Sequence, residues 1–341
     1  MNLDMNGILS CYFPTTVVAI DDNINFLDSL RDILGSKNIT VKGFSDPFAG
    51  LDFINENSSS NGLAFSDLTM SGDETTSDWK SILLNVNKVH SQIYDEGRFS
   101  KISAVLVDYS MPGIDGVDLC SRISDPSIQR ILLTGVADEK VAIDAFNNGY
   151  INRFARKNSS NIVSDVIQNV NKAIYQYFSI YTSDLMKCLP TKEINNLRDP
   201  IFANFFYGTC LNRGYVEYYM LDTFGSYLFL REDGRANLLS MMPESEIDRI
   251  IEIGVDSEEI SEEVLVGLKS HEYMLVLHNR NGTLPPISSW DKYMRPARRL
   301  EGYQTYCFTF AESNMLDLDF DRIKSFNQFR KNMLEAERQK L

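Results

Sequence analysis

The sequence predicts a doubly wound α/β domain followed by a second, mostly antiparallel α+β domain. In the first half, short apolar runs such as VVAI, AVLV and ILL each end at a polar residue, which is typical of buried parallel strands. Segments with a helical spacing of apolar residues separate these runs, as a parallel sheet covered by helices requires. The second half shows aromatic and β-branched alternation with turn signals, which indicates antiparallel strands. We therefore expect a five-stranded parallel sheet and a separate α+β domain.

The elements of the first half follow one another in a regular order. The strand VVAI precedes a helix whose apolar residues recur at helical spacing from Phe26 and which ends near Gly35. ITVKGF predicts the second strand, and the Asp-Pro pair at 46–47 begins the second helix. AVLV and ILL predict strands three and four, and the short segment before Lys157 predicts strand five.

An insertion of about 45 residues, from Glu56 to Ser100, separates the second helix from the third strand. Its first half is polar and rich in Ser, which predicts a mobile loop. Its second half predicts an additional amphipathic helix, because apolar residues recur there at helical spacing. These are Trp79, Ile82, Leu83, Val86, Val89 and Ile93. The apolar face of this helix could cover one of the two domains or bind a partner.

The last helix of the first domain is predicted to begin after Asn161 and to continue towards Leu185, beyond the length that covers a sheet. Its extension could be a rigid lever to the second domain or part of a dimer interface. Pro190 and the polar residues around it indicate a helix end and a domain boundary. We therefore place the first domain at 14–175 and a helical linker at 176–197.

The second domain, residues 198–341, is predicted to be an α+β domain on a mostly antiparallel sheet. The strand-like segments are GYVEYYMLD, SYLFLRED, ANLLSMM, EYMLVLH and QTYCFTF. Two acidic segments, PESEIDRIIEIG and SEEISEEVLVGL, predict helices between them, and the C-terminal DFDRIKSFNQFRKNMLEAERQKL predicts a charged amphipathic helix.

The polar residues at the ends of the predicted parallel strands form the candidate site. Such residues meet at the carboxyl edge of an open sheet, where α/β proteins bind their ligands. They are Asp21, Asp22, Asp108, Thr134 and Lys157. Three carboxylates, one hydroxyl and one ammonium suit a hard divalent cation and a phosphoryl group, because Mg²⁺ prefers oxygen ligands that it shares with phosphate. One Asp is then available as a nucleophile.

Residues 14–175 resemble the receiver domain of two-component response regulators, a flavodoxin-like fold. The motifs IDDN, VDYSMPGIDG, LLTG and FARK occur in the family's order and spacing. The resemblance implies that Asp108 accepts a phosphoryl group from a sensor histidine kinase or a phosphotransfer protein. It further implies that Asp21, Asp22, Asp108 and the backbone carbonyl of Ser110 hold Mg²⁺.

The same resemblance assigns the remaining residues of the site. Lys157 would neutralise charge on the phosphoryl oxygens, and Thr134 would donate a hydrogen bond to the new phosphate. Thr134 and Phe154 match the pair of residues that switch on activation. Asn158 stands where the family usually has Pro, which is a departure from the family pattern. A competing interpretation of the acidic pair is that Asp22 or the next residue, Asn23, caps the following helix.

Composition limits the remaining functions. The chain of 341 residues carries a net charge of −14, and from Arg198 onwards 17 Lys and Arg face 23 Asp and Glu, a net charge of −6. This balance disfavours nonspecific binding of nucleic acid or anionic lipid. Five scattered cysteines without a CxxC pair indicate reduced thiols and a cytoplasmic protein. Neither a signal peptide nor a membrane span is expected.

The sequence leaves several interpretations of the second domain's function open. We expect an interaction or ligand-binding domain, with no enzymatic activity beyond the receiver's own phosphorylation and dephosphorylation, and a homodimer that forms on phosphorylation. The alternatives are a DNA-binding regulator with an unfamiliar reader and a nucleotide-binding or enzymatic domain. For the latter, a basic cluster could bind an anion, and its members are Lys292, Arg295, Arg298 and Arg299. His271 and His278 are predicted to face opposite sides of one strand, a poor metal pair.

The whole architecture also resembles the quorum-sensing response regulators of Legionella.

Overall fold

The fold is that of a computed structural model, which describes the greater part of the chain. The described residues are 7–58, 69–70, 83–84, 87–135, 138–189, 191–257, 259–276, 286–312 and 318–338. The strands are β1 Cys11–Tyr12, β2 Thr16–Ile20, β3 Thr40–Phe44, β4 Thr69–Met70, β5 Leu83–Leu84, β6 Ile102–Asp108, β7 Gln129–Thr134, β8 Arg153–Arg156, β9 Tyr215–Met220, β10 Tyr227–Arg231, β11 Ala236–Pro243, β12 Tyr273–Leu275, β13 Met294–Pro296, β14 Arg298–Glu301 and β15 Thr305–Glu312.

The helices are named in the same way. They are α1 Ile24–Gly35, α2 Pro47–Asn57, α3 Asn87–His90, α4 Gly116–Ser121, α5 Glu139–Asn147, α6 Ile162–Tyr181, α7 Ser183–Cys188, α8 Thr191–Leu197, α9 Pro200–Arg213, α10 Glu244–Asp256, α11 Glu262–Lys269 and α12 Phe326–Arg338. Short 3₁₀ turns lie at Ser91–Tyr94, Glu96–Ser100, Ile287–Tyr293 and Phe320–Arg322. Within the described ranges, none of these helices is long and apolar enough to cross a membrane.

The first domain is a five-stranded parallel sheet in the order β3-β2-β6-β7-β8. Successive residues of β2 point to opposite faces, so Val17 packs into a core with α1 and α6, whereas Val18 packs into a second core with α2 and α4. Helices therefore cover both faces of the sheet, and the predicted doubly wound α/β fold is confirmed.

The second domain is built on a six-stranded antiparallel sheet in the order β1-β9-β10-β11-β15-β14. β12 and β13 form a separate antiparallel pair beside α10 and α11. This arrangement confirms the predicted α+β class. Helix α9 was not predicted; Asp199 caps its first turn and Gly214, in the left-handed conformation, ends it.

The N-terminal strand belongs to the antiparallel sheet, although it precedes the parallel sheet in the chain. In β1, Cys11 pairs with Tyr219 and Tyr12 pairs with Tyr218 of β9. The predicted domain boundaries, 14–175, 176–197 and 198–341, do not include a strand of the antiparallel sheet before residue 14. These boundaries stay a prediction. Because β1 and β2 are separated by only a few residues, the two sheets are tied together at the start of the chain.

Helix α6 continues past the parallel sheet and contacts the second domain. It spans 20 residues, and in its last turns Tyr177, Phe178 and Tyr181 are buried. The ring of Phe178 lies 4.8 Å from that of Phe13 and 5.1 Å from that of Tyr12, centroid to centroid. The predicted extension therefore exists, and its end packs within the chain in a core that both domains share.

The insertion differs from its prediction. Leu83–Leu84 form a short strand with Thr69–Met70, so the expected continuous helix is wrong at that point. The positions Trp79, Ile82 and Val86 of the predicted stripe lie outside the described residues. Further along, Val89 and Ile93 are fully buried in the shared core. This end of the insertion therefore covers the protein's own core.

A buried ion pair fixes the end of the insertion to the second domain. Arg98 lies just before β6 and Glu217 lies on β9, and both side chains are fully buried. The guanidinium donates from Nε to Glu217 Oε2 at 2.9 Å and from Nη2 to Oε1 at 3.1 Å. Tyr219 also donates to Oε2, at 2.5 Å. The pair is bidentate, which is the strong form of Arg–carboxylate contact.

The remaining donors of Arg98 are also satisfied. They bond to the backbone carbonyl oxygens of Ile93, Asp95 and Lys324 at 2.6 to 3.1 Å. The ring of the neighbouring residue, Phe99, packs at a tilt against the rings of Phe326 and Phe329 of α12, with each pair of centroids 5.3 Å apart. The C-terminal helix, the insertion and β9 thus meet at one buried guanidinium.

We expect Arg98→Met to lower the free energy of unfolding by about 3–5 kcal/mol, because it leaves the Glu217 carboxylate buried without its partner. Urea unfolding measures this loss. The double variant Arg98→Met/Glu217→Leu should recover part of it, because no lone charge is then buried, while the Tyr219 hydroxyl and three backbone carbonyls still lose their partners.

Arg122→Met is the matched control, because Arg122 pairs with Asp118 on an exposed helix surface. Its loss should stay below about 1 kcal/mol. An Arg98 variant as stable as this control would contradict the importance of the buried pair.

Candidate functional site

The four predicted strand ends meet at the carboxyl edge of the parallel sheet. Asp21 follows β2 directly, Asp108 and Thr134 are the last residues of β6 and β7, and Lys157 follows β8. The strands are adjacent in the order β2-β6-β7-β8. The sheet topology therefore brings together residues that are up to 136 positions apart, from 21 to 157 in the chain.

The acidic residues and the lysine are in direct contact. Lys157 Nζ lies 2.6 Å from Asp21 Oδ2 and 2.8 Å from Asp108 Oδ1. One carboxylate oxygen each from Asp21, Asp22 and Asp108 lie within 4.8 Å of one another. Asp22 is exposed, whereas Asp21 and Asp108 are buried. The geometry therefore combines an acidic cluster, open to solvent on one side, with a single ammonium.

Asn23, and not the acidic pair, caps the helix that follows. Its side chain accepts from the backbone N–H of Phe26 in the first turn of α1. Asp21 Oδ1 accepts from the backbone N–H of Asn23 at 3.0 Å, which orients this carboxylate. The other oxygen of Asp21 and the carboxylate of Asp22 remain directed to the cluster.

The electrostatics of the cluster reflect three negative groups and one positive group. Burial raises the pKa of Asp108 above its ordinary value, Asp21 and Asp22 act in the same direction, and Lys157 opposes them. Burial acts to lower the pKa of Lys157, but hydrogen bonds and charge from Asp108 and Asp21 outweigh it, so this pKa is raised. The site thus carries an excess of negative charge that a cation would relieve.

Two further features fit a metal and a phosphoryl group. The hydroxyl of Thr134 is fully buried, and its Oγ1 has no hydrogen-bond partner among the described residues; such a group normally has one. Three carboxylates within reach of one another supply the hard oxygen ligands that Mg²⁺ prefers. The residues present therefore fit Mg²⁺ and a phosphate oxygen beside Thr134.

The turn after Asp108 depends on glycine. A Cβ atom at Gly116 would lie 2.3 Å from the backbone oxygen of Asp108, closer than any side chain can approach. Gly113 has a φ of +85° in the same turn. These glycines hold the segment that contains Ser110 against the site. Ser110 is exposed, and the Mg²⁺ role of its carbonyl stays a prediction.

The proposed switch residues occupy neighbouring strands. Thr134 ends β7, and Phe154 lies half-buried on β8, where it packs against the second core of the first domain. The backbone N–H of Lys157 donates to the carbonyl of Thr134 at 2.9 Å. A change at Thr134 would therefore reach β8 directly, while the switching of Phe154 stays a prediction.

The basic cluster of the second domain is divided among several contacts. Arg299 pairs with Glu244 of α10, and Arg295 donates to the backbone carbonyls of Lys292 and Met294 at 2.9 and 2.6 Å. Arg298 precedes Arg299 on β14, so their side chains leave opposite faces of the strand. Anion binding by Lys292, Arg295, Arg298 and Arg299 stays a prediction, and Arg299 already has an anionic partner.

His271 does not lie on a strand as predicted. His271 lies in a turn before β12 with a φ of 54°, and His278 lies outside the described residues. His271 Nε2 is 3.0 Å from Asp248, and its Nδ1 is 3.7 Å from Glu244. The prediction of opposite faces on one strand was therefore wrong for His271, which contacts the acidic side of α10.

One residue beside the site was not assigned a role from the sequence. The ring of Phe26 lies under Lys157, with its centroid 4.9 Å from Nζ. In the sequence, Phe26 belongs to the apolar stripe of α1, and helical spacing alone gives it only a packing role. The contact arises because the long side chain of Lys157 reaches Asp21, which lies just before the start of α1.

Asp108→Asn should raise the melting temperature in Mg²⁺-free buffer at neutral pH. Because the pKa of Asp108 is raised by folding, its contribution to stability is present in acid and is lost as pH rises through the folded-state pKa. Removing the charge should therefore raise Tm by about 2 °C, the shift expected of ~1 kcal/mol in a chain of this length. The gain should vanish towards pH 3 and shrink when Mg²⁺ stabilises the wild type.

Asp118→Asn is the control for this measurement, because Asp118 is exposed and pairs with Arg122. Its Tm should not rise. A wild-type protein more stable than Asp108→Asn at pH 7 without Mg²⁺ would contradict the excess of negative charge in the cluster.

Comparison with known proteins gives a match along almost the whole chain. No family model matches, and no curated protein gives a significant match. The structure of the Legionella pneumophila response regulator LqsR is similar with 30% sequence identity and a TM-score of 0.76, covering 95% of both chains.

Two other solved structures match about half of the chain. A response regulator receiver domain protein from Clostridium thermocellum is 20% identical with a TM-score of 0.32, covering 47% of this chain and 94% of its own. An adenylate cyclase structure from Rhodopirellula baltica is 22% identical with a TM-score of 0.34, covering 51% and 98%. Neither match carries a functional argument. The similarity to LqsR, in contrast, includes both domains, and the chain belongs to the family of two-component response regulators that includes LqsR.

Proposed function

We propose that the protein accepts a phosphoryl group on Asp108 and transmits this signal through its second domain. The observation that carries the proposal is the meeting of three carboxylates, one ammonium and one buried hydroxyl at the carboxyl edge of the parallel sheet. These groups belong to Asp21, Asp22, Asp108, Lys157 and Thr134. Membership of the response regulator family supports the same proposal.

The proposed donor is a phosphohistidine of a sensor histidine kinase or a phosphotransfer protein. An oxygen of the Asp108 carboxylate attacks phosphorus, so that an O–P bond forms while the P–N bond breaks. The electron pair of the P–N bond leaves with the imidazole nitrogen, which is then protonated. The product is an acyl phosphate on Asp108 and a free histidine.

The protein's own groups orient and stabilise the reacting centre. Lys157 is already 2.8 Å from Asp108, so its ammonium can interact with a phosphoryl oxygen beside that carboxylate. The hydroxyl of Thr134 can donate to another phosphoryl oxygen, which would satisfy its buried and unpartnered oxygen. Because these groups are fixed by strand ends, little reorganisation is needed during transfer.

The metal ligands of the proposal are Asp21, Asp22, Asp108 and the carbonyl of Ser110. When bound there, Mg²⁺ would neutralise negative charge on the phosphoryl group. The Asp21 carboxylate is oriented for this role by the backbone of Asn23. Burial raises the pKa of Asp108, and the neighbouring carboxylates of Asp21 and Asp22 raise it further, so a cation at this position would relieve an unfavourable charge.

The proposed output is a change in dimerisation or in the contact between the domains. The continuous core, which contains residues of both sheets, favours dimerisation over a separation of the domains. Helix α5 follows the strand that ends at Thr134, and on one side of it Ile143 and Phe146 are 44% and 51% exposed. A phosphoryl group adds about −1.5 to −2 of charge, which can bias this surface through Thr134.

The proposed setting is a cytoplasmic phosphorelay, as in quorum sensing. The cysteines that the structure describes as free are Cys11, Cys120, Cys210 and Cys307, which agrees with a reducing compartment. Binding of nucleic acid is disfavoured by the net charge of −14.

Incubation with Mg²⁺ and acetyl phosphate, followed by intact-mass spectrometry, tests the proposal. The wild-type protein should gain one phosphoryl group, and Asp108→Asn should gain none. Lys157→Met should be phosphorylated about a hundredfold more slowly, because it lacks the cation beside the developing charge.

Removal of Mg²⁺ with EDTA should abolish the modification, and Asp118→Asn should react at the wild-type rate. Light scattering of the same samples should show a shift from monomer to dimer only where Asp108 is modified. Phosphorylation that persists in Asp108→Asn would place the acceptor elsewhere and refute the assignment.

A further inference from the structure

The ammonium of Lys157 is held by two charged contacts and one neutral contact. Asp21 and Asp108 supply the charged contacts at 2.6 and 2.8 Å. The neutral contact is the ring of Phe26, whose centroid lies 4.9 Å from Nζ. An ammonium within about 6 Å of a ring centroid is attracted by the negative face of the ring. Lys157 therefore sits between carboxylates on one side and an aromatic face on the other.

The local fold fixes the position of the ring. Phe26 is in the first turn of α1, and its backbone N–H donates to the side chain and the carbonyl of Asn23 at 3.2 and 3.1 Å. The ring is half-buried and packs against the core formed by α1, α6 and the sheet. A capped helix start thus anchors Phe26, whereas Lys157 itself has a long and flexible side chain.

The charged contacts change during the proposed reaction, whereas the aromatic contact does not. Asp108 loses its free carboxylate when it becomes an acyl phosphate, and Asp21 is a proposed metal ligand. Lys157 then exchanges its contact with the Asp108 carboxylate for one with a phosphoryl oxygen, and it shares Asp21 with the metal. Phe26 keeps the same electrostatic face in every state, so it can hold Nζ beside the phosphoryl group while its ion-pair partners change.

We propose that Phe26 is a positioning residue for phosphoryl transfer, whose ring holds the Lys157 ammonium at the phosphorylation site. This inference rests on the proposed function of Asp108 and adds to it a residue that the apolar spacing assigns only to packing. Phe26 acts through Lys157 and need not touch the phosphoryl group.

A purely structural role for Phe26 predicts different results. Leu at this position keeps an apolar side chain in the core and removes the aromatic face, whereas Tyr keeps the face. Phe48 is the control, because it also lies in the first turn of a helix. Its ring is 46% exposed and lies beside Gly113. A role in packing alone predicts lower stability in Phe26→Leu, but an unchanged phosphorylation rate of the folded protein.

The first arm of the test is NMR of the unphosphorylated protein with isotopically labelled lysine. The ring of Phe26 should shift the side-chain signals of Lys157 upfield, and the Lys157→Arg spectrum should assign these signals by their loss. In Phe26→Leu the shift should disappear, in Phe26→Tyr it should persist, and in Phe48→Leu it should be unchanged. Lys157 side-chain signals at the chemical shifts of an ordinary solvent-exposed lysine in the wild type would overturn the inference.

The second arm is the rate of phosphorylation by acetyl phosphate with Mg²⁺. Phe26→Leu should react about fivefold more slowly, the factor that a single cation–π contact supports, and Phe26→Tyr should restore the rate. Wild-type rates in Phe26→Leu would overturn the positioning role even if the ring contact exists. If the wild type itself is not phosphorylated, the proposed function fails, while the NMR arm still decides whether the ring holds Lys157.

Discussion

The buried ion pair between Arg98 and Glu217 is the interaction on which the arrangement of the two domains depends. Burying two charges costs several kcal/mol per ion, and only a bidentate contact with all other donors satisfied offsets it. Here the guanidinium meets both oxygens of Glu217 and three backbone carbonyls. Moving the two residues apart inside the protein would leave each charge buried without its partner. The pair therefore selects one orientation of the first domain relative to the antiparallel sheet.

This constraint acts on the strand that carries the acceptor. Arg98 lies four residues before β6, and Asp108 is the last residue of β6. The amino end of β6 is thus anchored in the second domain, while its carboxyl end holds the reactive carboxylate. The strand β1 and the end of α6 add further contacts between the domains. A signal from Asp108 is consequently expected to travel by small shifts of packed elements and by the surface of α5, rather than by separation of the domains.

The sequence was sufficient for the parallel sheet and its site because each functional residue follows an apolar run, and strand ends meet at one edge. Asp21, Asp108, Thr134 and Lys157 were found in this way. Arg98 could not be found, because it lies in a polar insertion and its partner is 119 residues away in the chain. The strand β1 has two residues, too few to show a period. Helix α9 was missed because aromatic residues occur around its circumference, so no apolar stripe marks one face.

The most direct test of the account is a crystal structure of the protein with Mg²⁺ and beryllofluoride, a mimic of the phosphoryl group. The account predicts beryllofluoride on the carboxylate of Asp108, with Lys157 Nζ and Thr134 Oγ1 within hydrogen-bond distance of its fluorine atoms. It also predicts that Arg98 and Glu217 keep their bidentate contact. Beryllofluoride bound elsewhere, or a Thr134 hydroxyl turned away from it, would contradict the assignment of this sheet edge as the phosphorylation site.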